Sequence, residues 1–206
     1  NPSIGLITLG SDFRIEKDFN NLIHRKDIDL YVNRIHCYNP LTNETLAKMA
    51  EDITDVTKDI LPDQKIDCVA YGCTSGTIAA GYDTIKSKIN LAKPDAKVTT
   101  PITSTIKALK KLDLKKISIF TPYTNAINNS VVNYFKKENI SVNSLTYFDI
   151  ASDLDIGKVD ENYLFEVLSK IDLEDSDALF VSCTALPVLS IIDKLEKKLN
   201  KIILSS

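Results

Sequence analysis

The chain has 206 residues, of which 44% are hydrophobic and 26% are charged, and its net charge is −3. A chain of this length forms one or two domains with a buried core. The composition argues against nucleic-acid binding, because the Lys pairs fall at the ends or on the polar faces of predicted helices rather than in a basic stripe. No run of about 18 apolar residues predicts a membrane span, and no signal-peptide pattern opens the chain. We therefore expect a cytoplasmic protein with no nucleic-acid and no membrane partner.

Predicted strands and helices alternate along the chain. The first half contains, in order, a strand over 3–9, a helix over 13–24, a strand over 30–36, a helix over 42–61, a strand over 66–72, a helix to 90, a strand over 97–99 and a helix over 103–112. The second half contains a strand over 116–121, a helix over 125–139, a strand over 141–148, a helix over 161–170, a strand over 177–182, a helix over 187–199 and a strand over 202–204.

This alternation is typical of parallel sheets covered by helices. The predicted fold class is α/β, with two similar half-domains, 1–100 and 101–206, each a parallel sheet flanked by helices. We expect the active site to lie between the two half-domains.

Two cysteines stand in matching sequence settings. Residues 67–73 read DCVAYGC and residues 177–183 read DALFVSC, so each apolar run opens with Asp and ends with a cysteine that Thr follows. The spacing of 183 − 73 = 110 residues is about half of the chain and indicates one fold used twice. Ligands in such folds bind beyond the carboxyl ends of the strands, which is where Cys73 and Cys183 fall.

A thiol at a strand-to-helix turn is suited to catalysis. Unpaired N–H groups and the helix dipole favour the thiolate and bind carboxylates there. We therefore expect Cys73 and Cys183 to have pKa values below the ordinary value of about 8.5 and to be alkylated faster than Cys37. Taken singly, a cysteine that ends a buried strand is more often a small core residue, and we interpret Cys37 and Cys68 in that way. The cysteine spacings predict neither a disulfide framework nor a metal site.

The motifs resemble those of the aspartate/glutamate racemase superfamily. Residues 71–77, 121–123 and 182–186 carry the resemblance, which spans nearly the whole chain. They are most similar to the branch that holds maleate cis-trans isomerase, arylmalonate decarboxylase and the ectoine-utilisation protein A. The similarity is closest to the last of these, because Leu9 and Asp12 stand where isomerases and decarboxylases usually carry Pro and Asn. The family usually continues past Ser206 into a final helix, so we expect the chain to be either truncated or partly disordered there.

The resemblance implies catalysis without a metal or an organic cofactor on a small carboxylate, such as an amino acid, a dicarboxylate or an ectoine-derived compound. Cys73 and Cys183 would be the catalytic residues, acting on opposite faces of the substrate. The residues implied to bind the substrate are Asp12, Thr74, Ser75, Tyr123, Thr184 and Ala185. One preorganised donor to a charged oxygen is typically worth about 3 kcal/mol, and general acid–base catalysis by thiols adds roughly 10²- to 10⁴-fold.

Several alternatives stay open at this point. Two-base proton transfer would give a racemase or epimerase, whereas thiol addition to a double bond would give a cis-trans isomerase. Decarboxylation is disfavoured, because arylmalonate decarboxylases keep only the second cysteine and this chain also has Cys73. A ligand-binding or regulatory protein of ectoine or amino-acid catabolism is the alternative without turnover. A homo-oligomer is compatible with the sequence.

Two of the substrate-binding assignments have structural alternatives of their own. Asp12 is expected equally as a cap of the helix that follows and as a residue that orients a carboxylate or binds an amine. An acid at this position would repel an anionic substrate unless it were protonated. Tyr123 follows a strand and a proline, so it is either a half-buried packing residue or a donor to the substrate.

Overall fold

The computed structural model describes residues 1–24 and 26–206, which form two four-stranded parallel sheets. The first sheet has the order β2-β1-β3-β4 and comprises β1 (Ser3–Leu9), β2 (Asp29–Ile35), β3 (Cys68–Tyr71) and β4 (Lys97–Thr99). The second sheet has the order β6-β5-β7-β8 and comprises β5 (Lys116–Thr121), β6 (Ser141–Tyr147), β7 (Ala178–Val181) and β8 (Ile202–Ser205). The strand order is the same in both sheets, and the predicted α/β class is confirmed.

Helices connect the strands. Those that follow the strands of the first sheet are α1 (Ile15–Ile23), α2 (Asn43–Lys48), α3 (Ile53–Lys58), α4 (Thr74–Ala80), α5 (Tyr82–Ala92) and α6 (Pro101–Lys111). Those of the second are α7 (Asn125–Lys137), α8 (Asp153–Gly157), α9 (Glu161–Leu168) and α10 (Ile192–Leu199). Within the described ranges, no helix is long and apolar enough to span a membrane. The half-domain boundary near residue 100 stays a prediction.

The central strands are apolar because helices cover both faces of each sheet. All four residues of β7 are buried, and in β3 only Cys68 keeps partial exposure. The side chains of β7 and of its neighbours join one large hydrophobic cluster that extends through both halves. The sequence runs that suggested buried strands are therefore the middle of the protein core.

The aspartates that open the two matching runs have a structural role. Asp67 Oδ2 accepts hydrogen bonds from the Ser3 amide at 2.7 Å and from the Ser3 hydroxyl at 2.9 Å. Asp177 Oδ2 accepts from the amides of Lys115 and Lys116 at 2.9 and 2.8 Å. Each carboxylate thus joins the start of a cysteine-bearing strand to the start of the central strand beside it, and these bonds hold its pKa below the usual range.

Four helix assignments need correction. The single helix predicted over 42–61 is α2, a 3₁₀ turn over Met49–Asp52 and α3, although Thr42 does cap it by accepting from the Thr45 amide. The helix predicted to 90 is interrupted at Gly81, whose φ is +85°. The last predicted helix begins at Ile192 instead of 187, because residues 186 and 188 turn into the core and leave the chain irregular. The short helix α8 was not predicted.

Candidate active site

Both cysteines of the matching motifs line one cavity. Its free volume is about 10 Å³, enough for about one water molecule and far below the usual range of about 300 to 1,000 Å³ for ligand pockets. Its lining residues are Leu9, Leu41, Leu46, Cys73, Thr74, Ser75, Tyr123, Asp153, Cys183 and Thr184. Every one of them is at most 7% exposed, so the cavity is enclosed and has to widen before a ligand larger than water fits. A wider apolar groove between α1 and α6 contains neither cysteine.

Cys73 follows β3 and is the N-cap of α4. Its Sγ accepts a hydrogen bond from the Gly76 amide at 3.2 Å, and the Ser75 hydroxyl lies 3.9 Å away. Gly76 is required for this approach, because a Cβ at that position would stand 2.8 Å from the sulfur and 2.9 Å from the hydroxyl oxygen of Tyr71. The sequence interpretation of a thiol at a helix N-terminus therefore holds for Cys73.

Cys183 has a different setting from Cys73. It follows β7, but the next helix, α10, begins only at Ile192, so the expectation of a thiol at a helix N-terminus is wrong here. Its φ is +96°, a conformation that is strained for any residue with a side chain. The Cys183 amide donates to the Ser206 hydroxyl at 2.7 Å, and its sulfur interacts with the hydroxyl of Tyr123 and the amide of Ala185.

The expected low thiol pKa values are also wrong for this enclosed state. Burial raises the pKa of Cys73 to about 12, and the opposing hydrogen bond from Gly76 is the smaller effect. Burial likewise raises the pKa of Cys183 well above its ordinary value, and the negative charge of Asp153 adds to the shift. Desolvation of a thiolate outweighs one or two backbone donors, so both groups are neutral thiols when the cavity is closed.

Asp12 and Ala185 stand just behind the cavity wall. Asp12 is 1% exposed, and its Oδ1 accepts from the amides of Arg14 and Ile15 at 2.8 and 3.0 Å at the start of α1, which is the capping contact anticipated for it. Its Oδ2 accepts from the Thr184 hydroxyl at 2.8 Å and so connects the two halves. The structure thus brings six of the eight candidate residues to the cavity and places the other two in contact with them; their catalytic and binding roles stay predictions.

Asp153 is a cavity residue that the sequence analysis missed. It lies at the start of α8, and its Oδ2 accepts from the Ser11 hydroxyl at 2.5 Å. Burial raises its pKa from 3.8 to about 6, opposed by the Ser11 hydrogen bond and supported by the charge of Asp12. The available signal was its place after β6, because polar residues that follow parallel strands collect at one edge of the sheet.

The cavity wall contains an acidic side chain, Asp153, but no basic one. None of its lining residues is Lys, Arg or His. The Thr74 hydroxyl is buried and has no hydrogen-bond partner among the described residues, so it is available to a ligand. Within the described ranges, no group of three or more His, Cys, Asp or Glu side chains could hold a metal ion.

Comparisons with known proteins agree with this geometry. The profile of the arylmalonate decarboxylase family matches residues 38–206. The maleate isomerase of Geobacillus stearothermophilus is 30% identical over 175 residues, which cover 81% of this chain and 69% of the relative.

Two solved structures share the fold. One is a cysteine-to-serine mutant of Nocardia farcinica maleate cis-trans isomerase with a covalently bound succinylcysteine intermediate; it has a TM-score of 0.90 and 20% identity and covers 99% of this chain and 87% of its own. The other is a double mutant of arylmalonate decarboxylase in the liganded form, with a TM-score of 0.85, 19% identity and coverage of 100% and 88%. At these identities the likeness bears on the fold alone, and the resemblance to the ectoine-utilisation protein A stays a prediction.

Proposed function

Because the chain belongs to the arylmalonate decarboxylase family and is an enzyme whose curated relatives are isomerases, we propose that it is a cofactor-independent isomerase of a small carboxylate. The observation that carries the proposal is that Cys73 and Cys183, from different halves, line the same enclosed cavity. Two thiols in one small cavity can act on a single ligand from two sides.

The environments of the two thiols suggest different roles. The Gly76 amide donates a hydrogen bond to the Cys73 sulfur and is the group that most favours the Cys73 thiolate. Cys183 does not stand at a helix N-terminus, and the charge of Asp153 disfavours its thiolate more than the Ala185 amide favours it. The same charge also opposes the Cys73 thiolate, but less than the Gly76 amide favours it. A nucleophile must ionise and a proton donor must not. We therefore assign Cys73 as the nucleophile and Cys183 as the acid and base.

The reaction proposed first is cis-trans isomerisation of an unsaturated acid. Cys73 gives its proton to water while the cavity is open, and its thiolate then forms a C–S bond to one alkene carbon. The π electron pair moves to the other carbon, which takes the proton of Cys183. The substrate then rotates about the resulting single bond. The Cys183 thiolate removes the same proton, the electron pair re-forms the double bond, and the C–S bond breaks to return the Cys73 thiolate. This scheme parallels the succinylcysteine intermediate of the Nocardia farcinica protein.

Neutral donors supply the carboxylate contacts in this proposal. The Thr74 hydroxyl is buried and unpartnered among the described residues, and the Ser75 hydroxyl contacts only the Cys73 sulfur. Both stand on the same turn as the nucleophile, so they would bind the carboxylate whose oxygens gain charge during addition. The Thr184 hydroxyl is already bound to Asp12, which makes it a positioning residue.

Two-base racemisation is the second candidate, and the same pair of thiols favours it. One thiolate would remove the proton next to the carboxylate, and the opposite thiol would return one from the other face. The two candidates differ in what becomes of the substrate: addition gives a covalent adduct, whereas proton transfer in heavy water places deuterium at the α carbon.

The test combines substrates with cysteine variants. Wild-type protein in heavy water is incubated with a panel of small unsaturated and α-chiral carboxylates and followed by NMR. We expect Cys73→Ser to abolish interconversion, and Cys183→Ser to retain a covalent adduct that mass spectrometry detects as protein plus substrate. Cys68→Ser is the matched control, because Cys68 lies outside the cavity, and it should keep full activity. Full turnover by a Cys73→Ser, Cys183→Ser double variant would overturn both reactions, whereas binding of an acid by wild-type protein without turnover of any acid would leave the binding-protein alternative.

A further inference from the structure

Asp153 leaves one carboxylate oxygen available to a ligand. Its Oδ2 is bound by Ser11, but no described residue donates to its Oδ1. In Asp12, the other acid beside the cavity, both oxygens already accept hydrogen bonds, from Arg14, Ile15 and Thr184. Asp153 is 3% exposed and lines the cavity, so a ligand admitted to the cavity meets this residue.

The rest of the cavity wall cannot neutralise this acid. The polar groups that line it are neutral hydroxyls and thiols, and no cationic side chain is among them. The unpartnered Thr74 hydroxyl belongs to the first half, whereas Asp153 belongs to the second. The cavity therefore has a hydroxyl on α4 that can donate to a carboxylate and an anionic acceptor on α8.

We propose that the substrate is a small carboxylic acid that also carries a cationic group, an ammonium in the simplest case, and that Asp153 selects it over a dicarboxylate. The inference rests on the proposed function and specifies its substrate class. A dicarboxylate would bring its second negative charge to Asp153 with no cation to compensate. Because the pKa of Asp153 is about 6, the carboxyl can take up a proton to admit a dianion, so the loss of affinity for a dicarboxylate near pH 7 is about tenfold. An ammonium gains in addition from the ionised carboxylate.

The same contact links recognition to reactivity. The charge of Asp153 is one cause of the raised pKa of both cavity thiols. A ligand ammonium paired with Asp153 cancels that charge, so the thiolate becomes easier to form once the correct substrate is bound. A dianion has the opposite effect, and it is therefore a poor substrate as well as a poor ligand.

The experiment compares two four-carbon cis acids that differ at one end: maleate, and cis-aminocrotonate with its amine on the terminal carbon. Calorimetry gives the dissociation constant of each for wild-type protein and for Asp153→Asn. We expect wild-type protein to bind aminocrotonate at least about thirtyfold more tightly than maleate, and Asp153→Asn to lower this ratio at least about tenfold. Asp155→Asn is the matched control, because it removes the same charge from an exposed position on the same helix, and it should leave the ratio unchanged.

A wild-type preference for maleate, or an unchanged ratio in folded Asp153→Asn, would overturn the inference. If Asp153→Asn does not fold, the wild-type ratio alone decides. Turnover of the same two acids is scored separately. Selective binding of the ammonium acid without any turnover would keep Asp153 as the selecting residue while removing the proposed isomerase. Turnover of both acids with equal affinities would keep the isomerase and remove the selection.

Discussion

Cys183 is held in a conformation that its side chain disfavours. Its φ of +96° is compensated by a hydrogen bond from its amide to Ser206 and by the interaction of its sulfur with Tyr123. Strain of this kind costs about 1 to 3 kcal/mol and persists where surrounding contacts fix the backbone. Such contacts aim the sulfur into the cavity without the helix cap that positions Cys73. The two cysteines thus reach the same space by different local structures.

Asp153 is expected to reduce stability at neutral pH. Its pKa is about 6 in the folded protein and 3.8 as an isolated side chain, so the folded state holds the proton more tightly. The wild-type protein therefore loses stability as the pH rises from about 4 to about 6 and does not regain it above that range. Asp153→Asn avoids this loss. We predict that it raises the free energy of unfolding by about 3 kcal/mol at pH 8 and changes it little below pH 4.

Urea unfolding at several pH values measures this difference. Asp155→Asn is the control of opposite sign, because Lys158 lowers the pKa of Asp155 and its charge is favourable in the folded state. Equal stability of Asp153→Asn and wild-type protein at pH 8 would show that Asp153 is not destabilising. The residue proposed to select the ligand would then not lower the stability of the protein.

At the scale of elements, the two sheets have the same strand order but differ in the loops that follow the cysteine-bearing strands. The central strand β1 lies between β2 and β3, and β5 lies between β6 and β7 in the same way. Asp67 binds the start of β1, and Asp177 binds the start of β5. The loops after β3 and β7 differ. Helix α4 follows Cys73 at once, whereas an irregular segment follows Cys183. The repeat provides two cysteines at one edge, and the different loops give them different environments.

Gly81 separates α4 from α5. Its φ of +85° and ψ of 138° belong to a region that residues with a Cβ rarely adopt. We predict that Gly81→Ala lowers the free energy of unfolding by about 1 to 3 kcal/mol, measured by chemical denaturation. Gly10→Ala is the matched control, because an added Cβ there meets only a carbonyl oxygen at 3.4 Å; a change within about 0.5 kcal/mol is expected. An equal loss in both variants would place the cost in the glycine-to-alanine change itself.

The sequence predicts the strands better than the turns. Period and composition locate all eight strands, because buried parallel strands are continuous apolar runs. The same patterns predict that Cys73 and Cys183 lie at the carboxyl ends of strands, because each cysteine ends such an apolar run. The break at Gly81 and the late start of α10 depend on how side chains fill the core, which local pattern does not contain. For Asp153 the sequence offers only its place after β6, because its role depends on Ser11 and the cavity, which lie far from it in sequence.

At the scale of the whole molecule, hydrogen bonds between distant segments close the cavity. Thr184 donates to Asp12 across the two halves, and the Leu41 amide donates to the Ala151 carbonyl at 2.8 Å. The Arg14 side chain donates to the Gly157 carbonyl at 2.9 Å beside them. A ligand reaches the thiols only when such contacts part. Opening is therefore a step that precedes chemistry.

This closure predicts the order in which the thiols are alkylated. Cys68 is half-buried, whereas Cys73 and Cys183 are 4% and 5% exposed. We expect iodoacetamide at pH 8 to modify Cys68 first, with the two cavity thiols at least about a hundredfold slower. Low concentrations of urea should accelerate Cys73 and Cys183 by the same factor, because one opening exposes both. Peptide mapping by mass spectrometry follows each site.

Two results would contradict this order. Alkylation of the cavity thiols ahead of Cys68 would mean that the low thiol pKa values expected from the sequence are correct in solution. Acceleration of Cys73 without Cys183 would mean that the two sulfurs open to solvent independently and do not belong to one closed compartment.

The size of the cavity also determines which side reactions are suppressed. The closed cavity has room for about one water molecule, so it widens to admit an acid and leaves little space beside that acid for water. An intermediate held there has no nearby hydroxide or water to capture it, so hydration of the double bond cannot compete with its restoration. On the proposed function, the enclosure that slows entry is therefore also a source of product fidelity, because it favours release of an isomer over release of a hydroxy acid.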